Sequence, residues 1–396
     1  MNKKLIALAV AGACVAPSAI AQTTNPVTLY GLVYATFESV EATGGATPLV
    51  RRNRVADQSS LLGVRGTEDL GGGLKAFFQL ETAFKPDQND TAFAARNSGV
   101  GLQGGFGSIL LGRWDTPMKV TAGAVDVFGD RTIGGYQAGM LGSGVGGLNP
   151  SGSAASAPAA TGGFDGFDRR DQNVVQYWSP SWGGVAIRAS YSANETRTAT
   201  TNPRTVGASL TYTGGPVYVG VAYDEMKDFR PAFSFTAPVA ILTTAVLPKQ
   251  RATAVFGTFT FGPIKLGALY DKVKRDGPSA INATAGTVTG FSEQKAWMGN
   301  VEWTFGNNQL KYQYTKARDG GPTFVTSATV LARVEPDCKV NAFGYQYNFS
   351  RRTFFLAQYV KVDNNAESYC NFGSNRLAIA AGQDPKGVSV GLRHSF

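Results

Sequence analysis

The chain reads Ala342-Phe343-Gly344-Tyr345-Gln346-Tyr347-Asn348-Phe349 near its C-terminal end. Aromatic residues occupy every second position of this stretch, and small or polar residues occupy the positions between them. Because successive side chains of a β-strand point to opposite faces, the stretch predicts a strand with one aromatic face and one polar face. The same alternation recurs at 185–192, 297–305, 309–315 and 388–396.

Alternation alone does not separate a soluble β-sandwich from a membrane β-barrel, but the connections between the strands do. Short turns such as Phe261-Gly262-Pro263 alternate with long polar loops such as 227–249 and 271–294. Short connections on one rim and long ones on the other are typical of outer-membrane barrels. The sequence therefore predicts an all-β fold, a transmembrane antiparallel β-barrel of about 16 strands, a number that leaves an aqueous channel open.

A closed barrel pairs every backbone donor and acceptor within the protein, which a membrane requires. Its outer face can be apolar because lipid surrounds it, and we expect its inner face to be polar because water fills it. No change in composition divides residues 22–396, so we assign them to one barrel.

Residues 1–21 are predicted to be a secretory signal peptide. Two lysines follow Met1-Asn2, an apolar run extends from Leu5 to Ala16, and Ala19-Ile20-Ala21 gives an A-x-A cleavage site. The apolar run is too short for a transmembrane helix and is followed by Pro17. Export to the cell outer membrane is the predicted localisation.

The composition argues against several classes of function. Only 16% of the residues are charged and 49 are glycine, which favours short strands joined by glycine turns over long soluble helices. The formal net charge is +9, but lysine and arginine are scattered singly and form no patch of the kind that binds nucleic acid. Such a charge is better suited to set the electric field of an aqueous interior.

The sequence also lacks the residues that most enzymes need. His394 is the only histidine, which excludes a histidine-based triad and a multi-histidine metal site. Residues 142–147 match G-x-G-x-x-G, but no buried strand precedes them and Asn149-Pro150 follows where a helix should begin. We therefore predict no catalytic residue, no metal site, no cofactor and no enzymatic activity.

Two cysteines, Cys338 and Cys370, remain once the signal peptide is removed. Both lie in segments that read as loops, and in an oxidising compartment they are candidates for one disulfide between neighbouring loops. The sequence leaves open whether they are bonded. Two cysteines are too few for a zinc site.

One connection is much longer than the others. More than fifty residues separate Arg113 from the next strand-like segment, which begins near Arg170. Structureless connections of this length are uncommon in compact domains unless they are functional. Its first part, 117–131, is charged and bulky and is the candidate for an inward constriction. The part from 134 to 163 has no Asp, Glu, Lys or Arg and is too neutral and flexible to form a selective wall.

The segment from Val64 to Glu81 reads Val-Arg-Gly-Thr-Glu-Asp-Leu-Gly-Gly-Gly-Leu-Lys-Ala-Phe-Phe-Gln-Leu-Glu. It closely resembles the second turn and third strand of the Gram-negative general porins, particularly the beta-proteobacterial trimeric type. The resemblance extends to Val27-Thr28-Leu29-Tyr30-Gly31 and to the ending Val390-Gly391-Leu392-Arg393-His394-Ser395-Phe396. It also includes Gly101-Leu102, Phe106-Gly107 and Leu111-Gly112-Arg113, and then Arg170 with Asn173 and Tyr177 to Pro180. The motifs run from one end of the mature chain to the other, so the resemblance covers essentially all of it.

The resemblance implies a homotrimer of sixteen-stranded barrels, each with a third extracellular loop folded inward. In the resulting constriction, arginines on the barrel wall face acidic groups that lie largely on the loop. The implied partners are outer-membrane lipid and lipopolysaccharide, small hydrophilic solutes and ions, and the barrel-assembly machinery, which contacts the C-terminal Phe396.

Residue by residue, Arg96 and Arg170 match two wall arginines of that family. Alternation places Arg170 on one strand face with Gln172 and Gln176, which predicts that its side chain points inward. The small residues after Arg96 do not show which way its side chain points.

The position of a third family arginine is occupied here by Leu61. Arg51, Arg52 and Arg54 lie on what reads as the preceding loop and are candidates to compensate. Arg113 is a further candidate for the basic side of the constriction, with bracing of the wall as its alternative role.

On the acidic side, Glu81 matches the family's Phe-Gln-Leu-Glu position, and Asp126 and Asp130 lie in the charged part of the long connection. Each of them could instead be a solvated loop charge or a member of a structural salt bridge. For Asp115, a fourth candidate, that alternative is the favoured one.

These features predict a passive diffusion channel for small hydrophilic solutes, with a basic constriction that prefers anions. Two alternatives stay open. A substrate-specific channel would need a saturable site such as an aromatic track in the lumen, whereas most aromatic residues share the predicted lipid-facing side. A surface adhesin or structural barrel would use its long loops to bind a partner.

Overall fold

The computed structural model describes most of the predicted barrel. It covers residues 27–45, 47–88, 90–129, 132–135, 167–193, 195, 197–199, 201–229, 247–276, 287–289, 293–319, 323–326, 329–333, 337–366, 368 and 370–396. The predicted signal peptide (1–21), the glycine motif at 142–147 and most of the neutral part of the long connection lie outside these residues.

Within the described residues the chain forms β-strands and one short helix. The strands are β1 (Thr28–Gly44), β2 (Leu49–Asp57), β3 (Leu61–Gly71), β4 (Leu74–Lys85), β5 (Asp90–Ala92), β6 (Ser98–Gly104), β7 (Gly107–Asp115), β8 (Arg170–Trp178), β9 (Val185–Ala193), β10 (Arg204–Gly214), β11 (Val217–Phe229), β12 (Leu247–Phe261), β13 (Ile264–Asp276), β14 (Thr287–Thr289), β15 (Glu293–Phe305), β16 (Asn308–Asp319), β17 (Thr323–Thr326), β18 (Thr329–Arg333), β19 (Asp337–Asn348), β20 (Thr353–Asn364) and β21 (Gln383–Ser395). The helix, α1 (Pro117–Gly123), lies between β7 and β8. In this described part of the chain, no helix is long and apolar enough to cross a membrane.

The main sheet is a closed antiparallel barrel of 16 strands. Its sheet contains 18 assigned strands, but β2 and β3 both pair with β1 and continue one another. β5 and β6 share β4 in the same way, so 18 − 2 = 16 strands surround the lumen. β1 also pairs with β21, and Gly31 and Phe396 exchange two backbone hydrogen bonds of 3.1 Å. The barrel therefore has no free edge, and the prediction of the fold class is confirmed.

Tight turns join the strands at one rim, and longer connections join them at the other. The turn residues Gly262 and Gly306 have φ angles of +54° and +57°, which glycine adopts without steric cost. In membrane barrels the short turns lie on the periplasmic side and the long loops outside the cell. Two long connections matter below: the third loop (116–169) and the last loop (365–382). β14, β17 and β18 belong to other long connections and form a small antiparallel sheet.

Side chains alternate between the two faces in the way that the sequence predicts. Phe343 on β19 is 49% exposed and Trp303 on β15 is 46% exposed, whereas their strand neighbours Ala342 and Asn300 are buried. The exposed aromatic face is the outer, lipid-facing side of the barrel. The face of the buried residues is the inner side, which lines the lumen.

Candidate pore constriction

The third loop enters the barrel through α1. Thr116 caps this helix, because its Oγ1 accepts a hydrogen bond from the backbone N–H of Lys119 at 3.3 Å. Pro117 occupies the first turn, where a missing N–H has no cost. From the inner face of β11, the Tyr218 hydroxyl donates to the Thr121 carbonyl at 2.9 Å. The helix is thus held against the inside of the wall.

Inner-face side chains also hold the backbone of the third loop beyond the helix. Asn300 Nδ2 donates to the Val125 carbonyl at 2.9 Å. Gln313 Nε2 donates to the Gly134 carbonyl at 3.2 Å. Because Asn300 and Gln313 point into the barrel, this part of the loop runs through the lumen.

Apolar contacts hold the third loop in place as well. Met118, Phe128 and Ile133 are buried in one cluster with inner-face residues such as Met298. At Gly344 of β19 a Cβ atom would lie 2.5 Å from the Phe128 ring, so the ring fills space that only glycine leaves free. The expectation of a polar inner face is wrong for this patch. Polarity is required only where the wall meets water, and here the loop covers it.

The last loop also reaches into the lumen. Phe372 and Leu377 are buried in the same cluster as Ile133, and the Gly373 N–H donates to the Ile133 carbonyl at 2.9 Å. A Cβ atom on Gly373 would lie 2.4 Å from the Gly135 carbonyl oxygen. Nothing in the sequence of the last loop predicts this insertion, because it depends on packing against residues far away in the chain.

A disulfide joins Cys338 to Cys370, with their Cα atoms 6.3 Å apart. Cys370 lies in the last loop, as expected. Cys338 is the second residue of β19, so its interpretation as a loop residue is wrong: the strand extends further towards the rim than the alternation of Phe343 to Phe349 indicated. The bond anchors the inserted loop to the barrel wall.

Arg96 and Glu81 form an ion pair on the inner wall. Arg96 Nε lies 2.5 Å from Glu81 Oε1, and both side chains are largely shielded from solvent. The Tyr30 hydroxyl donates to the second carboxylate oxygen of Glu81 at 3.3 Å. On β4, Glu81 is the neighbour of the outward-facing Leu80, so the pair lies on the lumen side. The structure thus brings two of the predicted residues into direct contact.

Arg170 is the centre of a second polar network, where the third loop leaves and rejoins the wall. Its Nη2 lies 2.9 Å from Asp115 Oδ1, and its Nε donates to Asn97 Oδ1 at 2.6 Å. Lys119 of α1 lies 3.9 Å from Asp115 and 3.1 Å from Asp168. Asp115 therefore has the structural role that the sequence favoured, and the network ties both ends of the third loop together.

The face on which Arg170 lies differs from the expected one. Asn173 has a φ angle of +50°, and the register between β7 and β8 shifts at this point. The extra residue in β8 changes the phase of the alternation, so Asp171 is the partner of the inner-face Trp114. Arg170, one residue earlier, does not share a face with Gln176. The prediction from strict alternation along β8, that Arg170 shares a face with Gln172 and Gln176, is therefore wrong.

The remaining predicted residues lie apart from the Arg96–Glu81 pair. Alternation along β7 places Arg113 on the same side as the outward-facing Leu111, and the two residues line one pocket on the outer face. The position of Arg113 therefore does not support its assignment to the constriction. Asp126 lies on the third loop, where its Oδ1 accepts the Phe128 N–H at 3.0 Å and its charge interacts with that of Lys311. Asp130 lies outside the described residues.

A buried charge cluster next to the third loop escaped prediction from the sequence. Arg169 lies 2.7 Å from Asp171 and 2.6 Å from Asp224, and all three side chains are almost fully buried. Burial acts to lower the pKa of Arg169, but the two carboxylates outweigh it and hold that pKa above its ordinary value. The one hint in the sequence is the doublet Arg169-Arg170: Arg170 matches a family arginine, which leaves Arg169 as an additional charge that the family match does not explain.

Leu61 and Arg54 show how the wall differs from the family pattern. Leu61 is buried in an apolar cluster with Leu32, so no charge projects from its position. Arg54 belongs to β2 and not to a loop. It lies 2.8 Å from Glu38 and also donates to the carbonyl of Asn375 in the last loop. Arg54 thus links the wall to the inserted last loop.

Three other arginines point into the lumen and lie over aromatic rings. Their guanidinium carbons are 5.0 to 5.3 Å from the ring centroids, in the pairs Arg65–Tyr30, Arg188–Trp178 and Arg393–Phe354. Such cation–π contacts hold a guanidinium without cancelling its charge. None of the three takes part in an ion pair with any residue that the structure describes. All three lie in the half of the barrel near the short turns.

Groups of three or more His, Cys, Asp or Glu side chains that could hold a metal ion are not found among the residues described above. A family profile described as Gram-negative porin matches residues 7–367 of the chain. The chain belongs to the Gram-negative porin family. It is accordingly an outer-membrane channel protein, and the family and fold are those of channels and not of enzymes.

Known relatives and solved structures agree with this assignment. Over 408 residues the porin is 29% identical to outer membrane porin protein 32 of Delftia acidovorans, with 100% of both chains covered. It is 41% identical to the major outer membrane protein P.IB of Neisseria gonorrhoeae over 132 residues, which are 32% of this chain and 36% of that protein.

Two solved structures show the same fold. The anion-selective porin from Comamonas acidovorans superposes with a TM-score of 0.72 at 24% identity, covering 94% of this chain and 100% of the other. OmpT of Vibrio cholerae superposes with a TM-score of 0.67 at 16% identity, covering 95% and 99%.

Proposed function

We propose that this porin is a passive diffusion channel for small hydrophilic solutes that prefers anions. The observation that carries the anion preference is the set of three lumen-facing arginines, Arg65, Arg188 and Arg393, held on aromatic rings. The wall charges nearer the third loop are paired with carboxylates, as Arg96 is with Glu81, and nearly cancel. The three arginines keep their positive charge, which lowers the free energy of an anion in a lumen framed by low-dielectric walls.

The constriction itself is formed by the third loop and the last loop on one side and by the wall around Arg96 on the other. The two loops narrow the lumen and set the size of the solutes that pass. The Arg96–Glu81 pair lines this passage with opposed charges that orient polar solutes. Arg170 acts indirectly: its ion pair with Asp115 fixes the base of the third loop.

The protein assembles as a homotrimer, and its C-terminal Phe396 is the contact for the barrel-assembly machinery. The trimer is supported by the family resemblance over the whole mature chain. The solved structures with this fold include a trimer form of OmpT from Vibrio cholerae. Insertion of one assembled unit into a planar bilayer should therefore raise the conductance in three equal steps.

The deciding experiment is the reversal potential of the reconstituted porin in a salt gradient. The wild-type potential should have the anion sign. Replacing the three arginines with glutamine (Arg65→Gln, Arg188→Gln and Arg393→Gln) should move it towards zero or to the cation sign, and raising the salt concentration should weaken the preference by screening.

The matched control removes three cations of the outer face instead, by Lys272→Gln, Lys295→Gln and Arg318→Gln. Their strand neighbours Val273, Ala296 and Ala317 are buried on the inner face, so the three cations point outward. It lowers the net charge by the same amount and should leave the potential nearly unchanged. A wild-type potential of the cation sign would refute the anion preference, and the absence of any conductance would refute the channel.

A further inference from the structure

Three aromatic side chains form a patch on the lumen side of the wall. The rings of Phe77 and Trp178 stack with their centroids 6.3 Å apart, and Trp114 packs against Trp178 with centroids 5.4 Å apart. Trp178 shares its strand face with the buried Val174 and Gln176, so its ring points inward. Phe77 and Trp178 are both partly exposed. We call Phe77, Trp114 and Trp178 the lumen aromatic patch. Apolar surface that faces water is costly, so this patch suggests a contact for a solute.

The rings of the lumen aromatic patch are held in fixed orientations. Trp178 Nε1 donates to Gln176 Oε1 at 3.0 Å, and Gln176 Nε2 donates to the Asp115 carbonyl at 2.9 Å. A Cβ atom at Gly101 would lie 2.5 Å from the Phe77 ring, so this ring packs directly on the glycine backbone. A surface that is already ordered loses little conformational entropy when a solute binds to it.

A cation and a hydroxyl group lie next to the lumen aromatic patch. Arg188 on β9 is the cross-strand partner of Trp178, and its guanidinium carbon is 5.3 Å from the Trp178 ring centroid. Ser209 on β10 is the partner of Arg188 on the other side. Ser209 is buried, and its Oγ has no hydrogen-bond partner among the residues that the structure describes. Because an unpartnered buried hydroxyl is costly, Ser209 and Arg188 together are suited to donate hydrogen bonds to an anion.

The groups around Trp178 favour one class of solute. A sugar would need a hydrogen-bond partner for each of its hydroxyls. The patch packs with the apolar Leu110 and Val174, and both amide groups of Gln176 already have partners. An inorganic anion would contact Arg188 and leave the rings unused. A solute that carries both an aromatic ring and a negative charge uses every feature of the site.

We propose that the lumen aromatic patch, Arg188 and Ser209 form a saturable binding site for anions that carry an aromatic ring, of which aromatic carboxylates are the simplest class. The carboxylate accepts hydrogen bonds from Arg188 and Ser209, and the ring packs against Trp178 and Phe77. The site rests on the proposed passage of anions through the lumen and adds a preference among them. Its affinity is low, because a solute in a diffusion channel must also leave.

The test is the single-channel chloride conductance of the reconstituted porin at constant salt, titrated with benzoate on both sides of a planar bilayer. Benzoate should reduce the conductance along a saturating curve. Acetate supplies the charge without the ring, and benzyl alcohol supplies the ring without the charge. Each should need at least about a fivefold higher concentration than benzoate for half of the maximal block, because each uses only one of the two features.

Two variants of Trp178 locate the block. Trp178→Leu should raise the half-blocking concentration of benzoate about fivefold through the loss of ring contact. Trp178→Phe keeps a ring at this position and should restore most of the lost affinity, which replacement of a purely structural residue would not predict for benzoate over acetate. The matched control, Trp303→Leu, removes a tryptophan that is 46% exposed on the outer face, and benzoate should block it like the wild type.

Equal half-blocking concentrations of benzoate and acetate in the wild type would overturn the site. That comparison needs no variant, so it holds even if Trp178→Leu fails to fold. Unchanged block by benzoate in Trp178→Leu would overturn it as well. If the reversal potential in a potassium chloride gradient has the anion sign but benzoate shows no saturation, the site is refuted and the proposed anion preference stands. A potential of the cation sign would refute that preference itself.

Discussion

The ring of Phe128 on the third loop lies over Gly344 on the inner face of β19, where a Cβ atom would come within 2.5 Å of it. The third loop therefore packs into a space that is open only because residue 344 is glycine and has no side chain. Hydrogen bonds from Asn300 and Gln313 to loop carbonyls fix the same segment. The constriction thus depends on the inner wall as much as on the loop.

Gly344→Ala should displace Phe128 and loosen the third loop. Overpacking of a buried site typically costs ~1–3 kcal/mol, and here we expect the cost to fall on the docking of the loop because the barrel strands stay paired. Single-channel recordings should show increased open-channel noise and a changed conductance. Gly299→Ala is the matched control, because a Cβ atom at Gly299 meets nothing within 4 Å. Identical recordings from both variants would contradict the role given to Phe128.

Arg96 and Glu81 should shift ion selectivity in opposite directions. Arg96→Gln leaves the Glu81 carboxylate without the guanidinium now 2.5 Å away, so the reversal potential should move towards cations. Glu81→Gln frees the guanidinium and should move it towards anions, and the double variant should lie between the two. Shifts of the same sign in both single variants would show that the pair does not line the conducting path.

The barrel could be predicted from the sequence because each strand faces lipid on one side and the interior of the barrel on the other. Residues such as Phe343 and Trp303 face lipid while Ala342 and Asn300 face inward, and that contrast is visible as alternation. Alternation fails where the backbone departs from it. Asn173 inserts one residue into β8, and the predicted side of Arg170 is wrong for that reason alone.

The site was less predictable, because its contacts join residues that are distant in the chain. Glu81 and Arg96 were identified through a family motif, and their ion pair needed the structure. The insertion of the last loop depends on Gly373 meeting Ile133, and the burial of Arg169 depends on Asp224 of a different strand. Neither contact leaves a periodic pattern in the sequence.

Removal of the disulfide should release the last loop and leave the barrel folded. Closing the 32-residue separation between Cys338 and Cys370 stabilises the folded state by about 3–4 kcal/mol in the chain-entropy account. In the variant with Cys338→Ala and Cys370→Ala, trypsin should cleave after Arg376 much faster than in the wild type. Circular dichroism should show unchanged β-structure. Equal cleavage rates would mean that packing by Phe372 and Leu377 holds the loop without the disulfide.

Arg169→Met should be the most destabilising of these changes. Arg169 is the shared partner of Asp171 and Asp224, and its removal leaves two buried carboxylates side by side without a cation. Breaking a buried ion pair in this way typically costs about 3–5 kcal/mol.

The measurement is the denaturant midpoint of the reconstituted porin, compared with Lys249→Met, which breaks the more exposed pair with Glu225. That control should cost less than about 1 kcal/mol. If the two variants unfold at the same midpoint, the buried Arg169 cluster contributes no more to stability than the exposed Lys249–Glu225 pair does. Adding Asp224→Asn to Arg169→Met should restore part of the stability lost in Arg169→Met alone, since it removes one of the two unpaired charges.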